Sequence, residues 1–290
     1  MINAYFIHLL ILICIYLILA LSLQLSLGYG GLLNLGHIAF FGIGAYTSAL
    51  LSLNGFPFWI CILVAGLLSA FFGFLLSIPT NKLKGDYLAL TTLGFSFVVY
   101  AIFLNWNDLT RGSLGLPGIP RPEILGINLL NNTSFLILSF ILAVITYLLI
   151  YRITASPFGK VLEATRDDEL ATRSLGKNTF KVKAVSLAMS AFFAGVAGSL
   201  FAHYITFIDP SSFTFAGIIP ILAITMIGGL ASLTGTVFAT IIIILLPEPL
   251  RFIGFPSSII GPMRQIIFAL LLFIILFFKP KGFFGKVELE

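Results

Sequence analysis

Stretches of about 20 mostly apolar residues, each long enough for one helix to cross a hydrocarbon layer about 30 Å thick, recur along nearly the whole of the 290-residue chain. Charged side chains make up only 9% of the chain, where a soluble globular domain carries about 25%. Both features exclude a soluble fold and leave no room for a separate water-soluble domain. The chain is expected to be all-α, a polytopic transmembrane helix bundle forming a single domain over residues 1–290.

Hydropathy places spans near 4–27, 36–53, 57–78, 87–104, 134–151, 184–207, 213–230, 234–247 and 263–279. The stretch from 234 to 247 is short and is followed by Pro247-Glu248-Pro249, and the one from 36 to 53 opens with glycines at 36, 42 and 44. Either of these is a candidate for a broken or re-entrant helix, so eight to ten spans are expected. The first stretch is too long for a signal-peptide core and follows no Lys or Arg, so it is expected to be retained as a span. Cys14 and Cys61 both sit in apolar stretches without metal-site or disulfide spacing and read as small buried hydrophobes.

Lys and Arg in short loops are retained on the cytoplasmic side. Lys82 and Lys84, the seven basic residues between 152 and 183, and Lys279, Lys281 and Lys286 all fall on one side, against Arg111, Arg121, Arg251 and Arg264 on the other. This predicts a cytoplasmic C-terminus and a cytoplasmic loop over about 152–183. With nine spans the N-terminus lies outside.

The longest exterior loop, about 105–133, is too rich in Gly and Pro for regular helix. It reads either as a stiff connector or as a docking surface for an extracytoplasmic partner. An internal echo is also present: Gly30-Gly31-Leu32-Leu33-Asn34-Leu35 recurs as Gly228-Gly229-Leu230-Ala231-Ser232-Leu233. Paired glycine-interrupted segments in two halves point to a substrate path in transporters, although Gly- and Leu-rich chains also produce such matches by chance.

In the cytoplasmic loop, Ser156 is a candidate N-cap with Pro157 at the first helical position and Gly176 as the stop. Phe158, Val161, Leu162 and Thr165 fall on one face of a helix expected over about 157–175, and the charges fill much of the rest. Such a helix can lie along the membrane surface and offer its charges to a cytosolic partner, or can simply be solvated. Arg166-Asp167-Asp168-Glu169, followed by Ala171 and Leu175-Gly176, resembles the cytoplasmic segment of LivM-type permeases of branched-chain amino acid ABC importers. Gly28 to Tyr46, Gly85 to Leu90, Gly228 to Gly235 and Lys279-Pro280-Lys281-Gly282 resemble further blocks of that family in the same order. Arg111-Gly112-Ser113 stands where the family more often has a Thr-Gly-Gly start, and Thr236 follows Gly235 where Pro is usual. The resemblance implies a heteromeric importer in the inner membrane with a second related permease, two cytoplasmic ATPase subunits and an extracytoplasmic solute-binding protein. Its relatives carry branched-chain amino acids, other amino acids, urea or amides.

The residues support the same reading from another side. No carboxylate lies inside an apolar run, so an ion-driven carrier has no relay to work with. Gly176-Lys177-Asn178-Thr179 lacks the glycine spacing and hydroxyl of a phosphate-binding loop, so the chain itself is not expected to bind ATP. Asp167, Asp168 and Glu169 point about 100° apart on a helix and do not converge on a metal. Nothing in the sequence calls for a cofactor, a metal or nucleic acid, and no catalytic residue is expected; membrane lipid is the expected surrounding. The substrate path is assigned to Gly30, Gly31, Asn34, His37, Gly228, Gly229 and Ser232, with Asn34 the leading candidate. Coupling to the ATPases is assigned to Arg166, Asp167, Asp168, Glu169 and Gly176. The alternatives are the permease of a urea or amide ABC importer and a passive urea or amide channel, and the channel would not require a structured cytoplasmic loop.

Overall fold

The computed structural model describes residues 2–83, 85–124, 127–128, 131–249, 257–279 and 282–285. Lys84, Arg251, Pro280, Lys281 and Lys286 lie outside the described residues. Each of the nine hydropathic stretches coincides with helix: α1 (Ile2–Gln24), α2 (His37–Leu53), α3 (Phe58–Thr80), α4 (Gly85–Asn105), α6 (Asn132–Ala155), α9 (Thr179–Ile205), α10 (Ile218–Gly228), α11 (Leu233–Leu245) and α12 (Ser257–Phe278). Among the described residues, five helical segments are long and apolar enough to cross a membrane: Ala4–Tyr29, Phe58–Thr80, Gly85–Asn105, Asn132–Ala155 and Thr179–Ile205. The apolar stretches His37–Leu53, Phe215–Gly228, Leu233–Leu245 and, within α12, Gly261–Ile275 are shorter. At about 1.5 Å per residue, the 13-residue α11 falls well short of the hydrocarbon thickness.

The interruption near the start of the second stretch lies before α2 rather than within it. From Gln24, α1 passes into a five-residue π-helical turn, Leu25–Tyr29. Gly31 then adopts the left-handed region at φ +63° and donates its N–H to the carbonyl of Leu27 at 3.0 Å. This ends the helix as a left-handed cap. Glycine suits the position because a side chain there is strained. The chain runs irregularly to Gly36, and α2 is continuous from His37.

The core is built on α9, which packs against α1, α2 and α3. Without a hydrophobic drive between helices in lipid, association relies on close van der Waals packing of small residues. Gly198 sits against the backbone of Phe41 and Ala45, and Gly73 against Ala191. The outward faces of α3, α4 and α6 carry exposed Leu67, Phe71, Phe97, Val98, Phe140 and Leu148, as surfaces facing lipid or other apolar chains do. Arg264, counted by charge on the exterior side and at the start of the 263–279 stretch, sits inside α12. There it pairs with Glu248 at 3.1 Å, and the other carboxylate oxygen of Glu248 accepts from the Tyr5 hydroxyl. A carboxylate embraced in this way stands as a neutralised ion pair.

The loop expected to be exterior, about 105–133, is more ordered than its Gly and Pro content suggests. Among the described residues it holds the helical turn α5 (Asn107–Thr110), a further turn at Gly112–Leu114, and the two-residue strands β1 (Leu116–Pro117), β2 (Glu123–Ile124) and β3 (Ile127–Asn128). β2 pairs with β3, and β1 pairs antiparallel with β4 (Phe207–Ile208) beyond α9. The His203 ring also bonds the carbonyl of Pro120 at 2.7 Å.

The loop over about 152–183 forms two helices where one was expected: α7 (Pro157–Asp167) and α8 (Glu169–Ser174). Asp168 is extended at φ −149° and accepts the Ala171 N–H on its side chain, so it caps a new helix instead of continuing the old one. Short polar side chains bond their own backbone in this way and compete with helix interiors. The expected start holds, since the Ser156 side chain accepts from Gly159 N with Pro157 in the first turn. Gly176 follows α8 at φ +75°.

Candidate functional site

The helix end that leads into the first glycine segment meets the second segment, about two hundred residues on in the chain. Gln24, fully buried in the last turn of α1, donates through Nε2 to the carbonyl of Gly229 at 2.7 Å and, more weakly, to that of Ser232 at 3.4 Å. A Cβ on Gly28 would lie 2.7 Å from the backbone nitrogen of Ala231, so the two backbones touch. Both segments reach this junction from the C-terminal end of a helix and leave it toward the start of another. Gly228 packs on the backbone of Gly235, and Ser232 caps α11 by accepting from Gly235 N at 3.2 Å.

The loop that carries α7 and α8 lies directly on the first segment. Arg166 donates through Nη1 to the carbonyl of Gly28 at 2.7 Å, where the C-terminal end of α1 favours a positive charge. Its aliphatic stem lies over Gly31, at which a Cβ would sit 2.6 Å from Arg166 Cγ. The apolar face of α7 is oriented as its periodicity predicts, with Leu162 and Thr165 buried and Phe158 and Val161 half-buried. Leu162 joins Leu21, Leu25, Tyr29, Ala231 and Leu233 in a small apolar cluster. The loop therefore grips the ends of α1 and α11 together.

The charges assigned to coupling divide into two sets. Asp167, Asp168, Leu170 and Leu175 are exposed, Leu170 at 70% and Leu175 at 79%. Glu169 turns inward and bonds Lys183 at 2.7 Å, Arg173 at 2.6 Å and Thr179 at 3.0 Å. Burial pushes its carboxyl pKa up, but the Lys183 and Thr179 hydrogen bonds and the charges of Lys183 and Arg173 outweigh that and hold it at about 2. Glu169 thus ties α8 to the base of α9.

Of the residues assigned to the path, Asn34 is 1% exposed and His37 fully buried. Asn34 accepts from Gly36 N at 3.0 Å, while its Nδ2 has no hydrogen-bond partner among the described residues. It lines a cavity of about 20 Å³ with Ser77, Thr80, Thr92 and Lys183. Leu32, Leu88 and Lys183 also border a wider cleft of about 410 Å³, which is walled by Gly30, Gly31 and the loop residues 165–170. The His37 ring bonds the Ser22 hydroxyl at 2.8 Å, inside the bundle.

Sequence reasoning did not anticipate the role of the C-terminal segment. Phe283 N donates to Ile227 O at 2.9 Å and Phe284 N to Gly228 O at 3.2 Å, satisfying carbonyls that the end of α10 leaves open. Gly282, at φ +70°, passes so close to Gly229 and the Met226 carbonyl that no Cβ fits. The family-like Lys279-Pro280-Lys281-Gly282 run was the signal available, but it carried no partner with it.

Comparison with known proteins agrees with this architecture. Residues 5–276 match the family described as branched-chain amino acid transport system / permease component. The chain is 39% identical to the high-affinity branched-chain amino acid transport system permease protein LivM of Salmonella typhimurium and 38% identical to LivM of Escherichia coli K12. Each match covers 77% of this chain and 58% of the relative. It is 25% identical to the permease protein LivH of Escherichia coli K12, covering 91% of this chain and 89% of the relative. The chain thus spans less than two thirds of the length of the LivM relatives, and no solved structure matches it. With a match over nearly its full length and a predominantly helical, multi-pass apolar architecture, the chain belongs to the family of branched-chain amino acid transport system permease components.

Proposed function

We propose that this chain is the transmembrane permease subunit of an ATP-driven importer for branched-chain or related amino acids. In this reading it sits in the inner membrane with eight to ten passes and with the loop at about 152–183 and the C-terminus in the cytoplasm. It works beside a second related permease, two cytoplasmic ATPase subunits and an extracytoplasmic solute-binding protein. ATP is hydrolysed on those separate subunits, and the chain supplies part of the path. The observation that carries the reading is the seating of a structured, charged loop on the meeting point of the two glycine breaks, in a chain matched to this permease family from residue 5 to 276. A passive channel has no use for such a device.

Within this reading, Asn34 and the Gly30-Gly31 and Gly228-Gly229 breaks, with His37 and Ser232 behind them, form the movable cytoplasmic end of the path. Asp167 and Asp168 face the ATPases. Arg166, Glu169 and Gly176 hold the loop in shape. The test is reconstitution of the full complex in liposomes with leucine and urea as parallel solutes. ATP-dependent leucine uptake that needs all partners supports the proposal. Uptake of either solute by this chain alone overturns it in favour of a channel.

A further inference from the structure

A loop that only docks an ATPase would keep its charges outward, yet the Arg166 side chain is 13% exposed beside an Asp167 at 63%. Its guanidinium reaches the last turns of α1, a central helix that touches α6, α9, α10 and α11. One helical turn back, Gln24 lies against Gly28, where a Cβ would meet its Cδ at 2.9 Å, and reaches the Gly229 carbonyl. Gln24 is fully buried and its Oε1 has no hydrogen-bond partner among the described residues. A buried polar group left half satisfied is costly, so this side chain is held for something beyond packing. Between the two contacts lies the π turn Leu25–Tyr29. Such turns are rare and are frequent at functional sites.

We infer that the C-terminal end of α1 is a two-point lever: Arg166 passes movement of the cytoplasmic loop into the π turn through the Gly28 carbonyl, and Gln24 passes it on to the second glycine break through the Gly229 carbonyl. The inference rests on the permease reading and deepens it by naming positioning residues that bind neither solute nor nucleotide. The two breaks then move as a unit. A push that reached only one of them would have to break the Gln24 bond and separate Gly28 from Ala231, which are already in backbone contact.

The test uses the full complex and reads uptake per ATP hydrolysed. Arg166→Ala and Gln24→Leu are each expected to lower that ratio by about tenfold, the scale of one hydrogen bond to a charged or buried group, while the ATPase subunits still co-purify. Arg166→Lys, which keeps a cation on a long stem, recovers part of the ratio, and the double variant is no worse than either single one because both act on the same lever. A ratio equal to the parent's in both single variants, or loss of the ATPases in step with loss of uptake, overturns the inference. Amide hydrogen exchange keeps it separable from the transport reading, because it needs no solute. In the parent complex, a non-hydrolysable ATP analogue changes protection over residues 25–31 and 228–233 together. In Arg166→Ala it changes only the loop. If both regions still respond in Arg166→Ala, the lever is wrong even where ATP-driven uptake is established, and if the parent takes up no amino acid, the permease reading is what fails.

Discussion

Gly44 of α2 and Gly195 of α9 face each other so closely that a Cβ on Gly44 would lie 2.2 Å from the Gly195 carbonyl oxygen. The obstacle is backbone and cannot rotate aside, so Gly44→Ala must push the two central helices apart. Overpacking of this kind costs about 1–3 kcal/mol. Thermal unfolding of the purified protein in detergent should show a lowered midpoint for Gly44→Ala and for Gly195→Ala, which meets Ser69 and the Ala65 carbonyl. Gly94→Ala, with open space around its Cβ, should leave the midpoint unchanged or raised.

Asn34→Leu removes the acceptor for Gly36 N and the amide that faces the small polar cavity. A neutral hydrogen bond is worth about 0.5–1.5 kcal/mol, so uptake should fall several-fold rather than vanish. Membrane insertion, checked by fractionation, should match the parent. Unchanged uptake would make Asn34 a packing residue.

Glu169 anchors the loop through Lys183, Arg173 and Thr179. Its carboxyl is held at about 2 in the fold against an ordinary value of 4.5. A carboxylate held down in the fold contributes stability that is fully present above its unfolded value and is lost as pH falls from about 4.5 towards 2. Glu169→Gln should therefore loosen the loop at neutral pH, read as faster trypsin cleavage at Arg173 and Lys177. The parent should loosen only over that acid window, read by hydrogen exchange.

Leu170 and Leu175 stand at the exposed tip of the loop, beside Asp168. Exchanging both leucines for Asp should reduce co-purification of the ATPase subunits several-fold, because an interface is dominated by a few well-packed anchors. Asp168→Lys should weaken it further at low salt than at high salt, since like charges across an interface repel. Glu169 is a poor choice for that experiment, because reversing it breaks the loop from inside.

The positions of the helices are legible in the apolar runs because a chain in lipid must satisfy its backbone internally, and a continuous run of 20 apolar residues does so as helix. The caps at Ser156, Pro157 and Gly176 are legible for a similar reason, being settled by neighbours within four residues. The split at Asp168 depends on which of two competing local hydrogen bonds the surroundings favour, and those surroundings include Lys183 and the base of α9. That Glu169 turns inward while Asp167 and Asp168 face outward is likewise a matter of distant partners, since the four residues Arg166-Asp167-Asp168-Glu169 look equally solvent-facing in one dimension. The echo of Gly30-Gly31 in Gly228-Gly229 was visible as letters, but repetition alone carries no distance. Only the tertiary structure brings Gln24 to Gly229 and Gly28 to Ala231, because that contact is decided by how α1 packs on α10 and α11, by side chains spread over three helices rather than by any one segment.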